Sequence, residues 1–348
     1  MSASLRIDAA RAWLGRNETP GSDLAVVADR DSITYVGSIA EAPDANVRIV
    51  FDGVLMPAVA DRHVHIRLSD AGAVLAGGVA AVRDLGWVPD EIFALADASE
   101  LPTFNGPLIR AAGPMLTARG GYPTADGWAP MGTGLELEGP EHAARVVAEL
   151  AGRGAAAIKV AMNADVGPTP SDAELAAIVD AARPFEIPVT AHVQGPGQAE
   201  RAVGAGVDEF AHTPWTERLP DELLGFAART TRIVSTLDML SYGEITSELR
   251  VACDNLVRFR AAGGTVVYGT DLGNGPIPAG IDVREALLLR EAVRMPTEDV
   301  LDAMTATRIE VGAPADLIGL GEDPLTGMDA LGDLRLVVRA GRVIGHRR

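Results

Sequence analysis

Hydrophobic residues fall in two rhythms along this chain, and the rhythm changes near residues 56 and 311. Up to the first of these points, short apolar runs are punctuated by turns. Leu24-Ala25-Val26-Val27-Ala28 and Ile33-Thr34-Tyr35-Val36-Gly37 flank Asp29-Arg30-Asp31-Ser32, a hairpin signal. Val47-Arg48-Ile49-Val50-Phe51 then alternates before the turn Asp52-Gly53. The C-terminal end has the same texture: Ala315–Leu320 and Leu334–Val338 read as strands, and Ala340-Gly341-Arg342 as a tight turn before Val343-Ile344. Neither terminal piece can bury a sheet face alone. Residues 1–56 and 311–348 are therefore expected to pair into one small β-sandwich domain built from both chain termini.

Over residues 57–310 the rhythm is strand, then helix. Strand patterns end near His65, Asp84, Gly113, Met162, His192, His212, Ser235 and Asp271. Apolar spacings of three and four predict helices over 141–152 and 172–183, and further helical stretches at 197–205, 221–230, 247–262 and 282–294 fill the later gaps. Eight strands with following helices is the count of a (β/α)8 TIM-like barrel, in which functional groups stand at the C-terminal ends of strands. The predicted class is α/β, a barrel carrying the small β domain.

The rarest residues sit at those strand ends. After the apolar run Val54–Ala60 comes Asp61-Arg62-His63-Val64-His65. Residues two apart on a strand point the same way, so His63 and His65 can aim both imidazoles at one point, a start on a metal site. Of the six histidines, His192 and His212 also close strand patterns, whereas His142 and His346 read as solvent-facing. Among thirty basic residues Lys159 is the only lysine, and it lies in the core-like run Ala155-Ala156-Ala157-Ile158-Lys159-Val160. An unpaired ammonium there is costly. Arginine stays charged and cannot supply a reactive amine, while a lysine amine can take up carbon dioxide to give a carbamate able to bridge two metal ions. Asp271 ends Thr265-Val266-Val267-Tyr268-Gly269-Thr270-Asp271 before the loop Gly273-Asn274-Gly275-Pro276. Alone it reads equally as a turn or capping residue; with the other five it completes a set on the first, fourth, fifth, sixth and eighth strands.

That set, in that order, resembles the amidohydrolase superfamily over nearly the whole chain. The local wording is most similar to the imidazolonepropionase-like and prolidase-like branch: Gly78–Gly86, Ala112-Gly113-Pro114-Met115 with Gly120-Gly121, and Gly269-Thr270-Asp271. The resemblance implies that His63, His65 and Asp271 hold one metal, that His192 and His212 hold a second, and that a carboxylated Lys159 bridges them. It implies two divalent ions, zinc foremost, with carbon dioxide or bicarbonate for the lysine. Hydroxide made available near neutral pH would attack the scissile carbonyl, and Asp271 would act as general acid/base. The expected reaction is hydrolysis of an amide C–N bond in a dipeptide, N-acyl amino acid or modified peptide. Lactone or other ester hydrolysis on the same centre is the alternative, with a non-catalytic assembly protein further off. A mononuclear deaminase would lack the fourth-strand lysine. Departures from the family pattern include Pro57-Ala58-Val59-Ala60-Asp61, Tyr122 after the glycine pair, and His192-Val193-Gln194-Gly195; the metal set is untouched, and the loop changes bear on the substrate. Arg119, Tyr122 and Trp128 after the third strand, Trp215 after the sixth and Tyr242 after the seventh are expected at the mouth, with Arg119 or Tyr242 as a partner for a substrate carboxylate.

Composition narrows the partners. A formal charge of −18 argues against nucleic acid and anionic membranes, leaving a small molecule or short peptide as the expected partner. The single cysteine, Cys253, rules out an internal disulfide framework and suits a reducing cytosol. The first residues show no signal-peptide pattern, and no apolar run reaches the roughly 18 residues of a membrane span. The expected location is cytoplasmic; homo-oligomer formation is left open.

Overall fold

The computed structural model describes residues 4–18, 21–101, 103–124 and 129–347. Its terminal strands are β1 (Ser4–Ala12), β2 (Gly21–Asp29), β3 (Ser32–Ser38) and β4 (Val47–Pro57) from one end of the chain. The barrel strands follow as β5 (Val59–Val64), β6 (Val79–Asp84), β7 (Leu108–Ala111), β8 (Met115–Thr117), β9 (Gly134–Glu136), β10 (Ile158–Asn163), β11 (Val189–Gln194), β12 (Glu209–Phe210), β13 (Arg232–Val234) and β14 (Val266–Val267). The other end of the chain supplies β15 (Leu317–Leu320), β16 (Leu334–Arg339) and β17 (Arg342–His346).

The terminal strands form one seven-stranded sheet in the order β17-β16-β15-β4-β1-β2-β3. Its centre is where the two chain ends meet: β4 runs parallel to β1 and antiparallel to β15. The sheet curls so that its β3 edge meets the segment leading into β15. Ile33 donates its N–H to the Ala313 carbonyl at 2.8 Å, and Ala315 donates to Asp31 at 2.7 Å. The curl encloses an apolar cluster that includes Leu5, Ile7, Phe51, Leu317 and Leu336. Non-adjacent segments thus bury a face that neither could bury alone, as the turn-rich patterning of both ends requires.

The barrel is a second and larger core. Strands β5, β6 and β7 pair in parallel, as do β10 through β14. The first and eighth staves close on each other through Arg62 N–H to Tyr268 O, Asp271 N–H to His63 O and His65 N–H to Leu272 O, at 3.1, 2.8 and 2.7 Å. The third stave is broken. It stops at Ala111 and resumes as β8, which pairs with β10 and β9. At the break Gly113 has φ +85°, a conformation costly for any residue with a Cβ. The helices include Pro140–Gly152, Asp172–Ala182, Gln198–Ala205, Asp221–Thr230 and Ser247–Ala261, all within the expected stretches to a residue or two. The 282–294 stretch is an α-turn, Val283–Leu287, running into a π-helical segment, Leu288–Ala292. Ala71–Ala76, Pro89–Ser99 and Thr297–Met304 are helices that apolar spacing did not single out. No helix among the described residues is long and apolar enough to cross a membrane.

Candidate metal centre

Strand register places the site's layers. β10 and β11 pair Lys159 with Thr190, Ala161 with His192, and Asn163 with Gln194. Alternate residues share a face, so these three pairs step up the barrel interior from depth to mouth. Ala161 has little volume beside His192, which leaves room for the long Lys159 side chain to rise from the layer below. At the top, Asn163 donates to Gln194 Oε1 at 2.8 Å. Lys159, His63, His65, His192, His212 and Asp271 all line one cavity of about 270 Å³, and all six are buried.

Three of the four imidazoles face an oxygen that can only accept, which fixes a nitrogen that carries hydrogen. His63 Nδ1 donates to the Ala211 carbonyl (2.8 Å) and His65 Nδ1 to the Gly86 carbonyl (3.0 Å). His63 therefore presents an Nε2 lone pair inward, and His65 turns its Nε2 to the Asp271 carboxylate. His212 is held through Nδ1 by Thr236 Oγ1 at 2.9 Å. His192 is held the opposite way: Nε2 faces Gln194 Oε1 at 3.1 Å, leaving Nδ1 as its lone pair. The rings pack together, with His212 centred 4.4 Å from His63 and 4.9 Å from His192.

Asp271 meets this cluster from a strained turn. Its φ is +62°, and Thr236 beside His212 is at +43°, both in the left-handed region that non-glycine residues occupy only when their surroundings impose it. Asp61 helps impose it. Its carboxylate accepts from His63 N–H (3.0 Å), Thr270 N–H (3.1 Å) and Thr270 Oγ1 (2.6 Å), tying the first strand to the eighth. Asp84 does the same for His65, holding Ile66 N–H at 2.8 Å and Gly86 N–H at 3.0 Å. Asp271 Oδ1 then lies 3.2 Å from His63 Nε2 and 3.4 Å from His65 Nε2.

This geometry leaves acceptors facing each other. His63 Nε2 and Asp271 Oδ1 are buried without a hydrogen-bond donor, although such groups normally find one. Two ligands each about 2.1 Å from a tetrahedral ion stand about 3.4 Å apart, so a cation fits the observed spacing. The ligand atoms of His63, His65 and Asp271 lie within 4.8 Å of one another. Electrostatics agree. Burial, reinforced by the Lys159 charge, pushes His63 well below the usual histidine range and His192 down to about 4. Burial acts upward on the Asp271 carboxyl, but His63 and His65 outweigh it and hold it well below the ordinary value. Burial lowers the Lys159 ammonium to about 7, so near neutral pH much of it is the free amine, the form that adds carbon dioxide. His212 is likewise pushed well below the usual range by burial, whereas at His65 burial acts downward but the Asp271 carboxylate outweighs it and raises the imidazole. The arrangement suits cation binding: three imidazoles kept neutral, a fourth facing a carboxylate where a cation can replace a proton, and an amine able to become an anion.

The outer candidates are placed unevenly. Tyr122 stacks on His192 at 5.3 Å between ring centres, and Trp215 stands edge-on to His192 and His212 at 5.7 and 5.5 Å. Tyr242 is 45% exposed and its hydroxyl donates to Asn274 Oδ1 at 3.2 Å. Arg119 is exposed and does not line the cavity. Trp128 lies outside the described residues. Of the two histidines read as solvent-facing, His346 is exposed and His142 is half-buried, accepting from Glu138 N–H at 3.1 Å. Sequence reasoning did not single out Asn163, Gln194 or Asn274 as wall residues, yet all three line the cavity. Asn163 and Gln194 are the last residues of β10 and β11, so the strand-end rule that found the histidines could have found them. Asn274 donates to Asp271 Oδ2 at 2.9 Å, which sequence spacing cannot show.

Comparison with known proteins bears on this centre. The sequence pattern described as "Amidohydrolase family" matches residues 54–344. An uncharacterised protein of Mycobacterium tuberculosis is 27% identical, covering 89% of this chain and 90% of its own. Among solved structures, A. niger ochratoxinase superposes with a TM-score of 0.82 at 20% identity, covering 99% of this chain and 96% of that one. A Xaa-Pro dipeptidase with methionine in its active site gives 0.83 at 21% identity, covering 98% and 99%. At such identities the two structures speak for the shared fold.

Proposed function

This chain belongs to the amidohydrolase family, and from that premise we propose that it is a binuclear metal-dependent hydrolase of amide C–N bonds in small molecules or short peptides. The observation that carries the reading is the buried, donorless pair His63 Nε2 and Asp271 Oδ1, 3.2 Å apart in the mouth of the barrel. His63, His65 and Asp271 would hold one cation; His192 through Nδ1 and His212 would hold the second. Lys159 would bridge them as a carbamate: the amine nitrogen bonds to the carbon of CO₂, one proton leaves, and an anionic oxygen pair results. When bound, zinc or a similar ion supplies Lewis acidity and makes hydroxide accessible near neutral pH.

The chain's own residues do the rest. Asp271 is the one carboxylate among the described lining residues, beside the point where the nucleophile would lose a proton. Its Oδ2 is steered by Asn274, so that proton can pass to the departing nitrogen. The Ala211 and Gly86 carbonyls keep the His63 and His65 lone pairs pointing inward throughout the cycle. Trp215 and Tyr122 flank the cavity and limit bulk water. The half-buried single thiol and the acidic surface suit a cytoplasmic enzyme whose substrate reaches it by diffusion.

The test is a turnover screen on protein loaded with zinc and bicarbonate, across dipeptide, N-acyl amino acid, blocked peptide, lactone and cyclic imide substrates. Metal-dependent amide turnover is expected, falling by about a thousandfold or more in Asp271→Asn. Metal-loaded protein inert toward every amide contradicts the reading.

A further inference from the structure

We infer that the cavity selects amides that carry no free carboxylate; this rests on the hydrolase reading above and narrows it to blocked or otherwise uncharged substrates. The cavity, about 270 Å³, has room only for a small ligand. Beyond the candidate metal ligands its walls are carboxamides (Asn163, Gln194, Asn274), the Tyr122 phenol and apolar side chains such as Met115, Val166 and Trp215. None of the described lining residues is an arginine. Ala125, Asp126, Gly127 and Trp128, the third-strand-loop residues outside the described set, include no cationic side chain. The basic groups among the described lining residues, Lys159 and the four histidines, are all candidate metal ligands, which leaves none to receive a substrate carboxylate.

The arginines of the loops around the mouth are engaged elsewhere. Arg67 pairs with Glu91 at 3.3 Å, Arg218 with Asp254 at 3.0 Å and Arg284 with Asp238 at 2.8 Å. Arg119 is on an exposed turn. The rim carries the opposite charge. Gln194 Nε2 donates to Asp165 Oδ2 at 3.3 Å, which places a carboxylate beside the fifth-strand end. A substrate carboxylate would have to shed its water without a guanidinium to receive it, close to Asp165, in a chain of net charge −18. A carboxamide or ester in the same place needs only neutral hydrogen-bonding partners, and the wall supplies them.

Matched pairs separate the two cases: N-acetyl-L-methionine against N-acetyl-L-methioninamide, and N-acetyl-L-phenylalanine against its amide, with acetate release measured on the metal-loaded protein. The amide is expected to exceed the acid in kcat/KM by about tenfold or more in both pairs. Val166 lines the cavity and is 43% exposed, so Val166→Arg adds a cation without touching the centre. It should raise the ratio of acid to amide kcat/KM by about tenfold. Acids turned over as well as amides, or Val166→Arg without effect on that ratio, overturns the inference while the hydrolase reading stands. Should no pair be cleaved, the wider amide screen above decides the hydrolase reading. The inference is then judged by thermal shift: amides that raise the melting temperature where acids do not uphold it, and equal shifts overturn it.

Discussion

Two buried polar clusters share the inside of this barrel, and they are built on opposite plans. Deeper in, Glu209 is fully enclosed. Its Oε1 accepts from Arg83 and, at 2.9 Å, from Thr190 Oγ1, while Oε2 accepts from Arg232 Nε at 2.6 Å. Arg83 also donates to the Arg62 carbonyl at 3.0 Å. Both oxygens of Glu209 are engaged, which is the condition under which a buried charge is tolerable. One layer up, His63 Nε2 and Asp271 Oδ1 have no donor at all. A closed cluster needs nothing further and acts as scaffold. An open one, held open by Asp61 and by strained turns, is poised for a cation.

The largest effect expected from breaking this contrast is in the closed cluster. Glu209→Gln leaves Arg83 and Arg232 without their anion and should cost about 3–5 kcal/mol in urea unfolding, with metal content per folded chain unchanged. A variant that kept its stability but lost metal would erase the distinction. Next comes Asn274→Ala, which frees Asp271 Oδ2. We expect kcat to fall about tenfold with KM within about threefold, and Asn274→Asp, unable to donate, not to restore it. A KM effect alone would make Asn274 a substrate contact and not a positioning residue.

The smallest effect sharpens the comparison at a third cluster. Asp282 Oδ2 and Glu285 Oε1 also lack donors, but burial pushes the Glu285 carboxyl up from 4.5 to about 8. It is pushed toward holding its own proton, where the candidate metal centre has acceptors that suit a cation. A carboxyl with a raised folded pKa contributes stability that is fully present below its unfolded value and is lost as pH rises through the folded one. Between pH 4.5 and 8 the wild type should therefore lose stability relative to Glu285→Gln, which cannot ionise. The melting-temperature gap should widen by several degrees across that window. Parallel curves would mean that Glu285 is already ionised in the fold.

Much of this was legible before any coordinates. The barrel's staves are short apolar runs, and a rare residue closing such a run carries positional information; Lys159, His192 and Asp271 were visible for that reason. The β-rich ends announced a shared sheet because neither had strands enough alone. What stayed hidden depends on contacts without local signature. The carbonyls of Ala211 and Gly86, which set the imidazole tautomers, are backbone atoms distant in sequence from the histidines they hold. The Asp61 link to Thr270 spans 209 positions. Arg119 looked like an anion receptor by residue type, but its turn keeps it exposed. The third stave's break follows from Gly113, whose positive φ cannot be read from hydropathy.

The central claim is that the open cluster takes two cations and that Lys159 bridges them. Metal content by mass spectrometry, on wild type and Lys159→Ala incubated with zinc and bicarbonate, tests it most directly. About two zinc ions per wild-type chain are predicted, falling to about one or fewer in the variant together with turnover. Lys159→Ala with full metal content and full turnover would contradict the account.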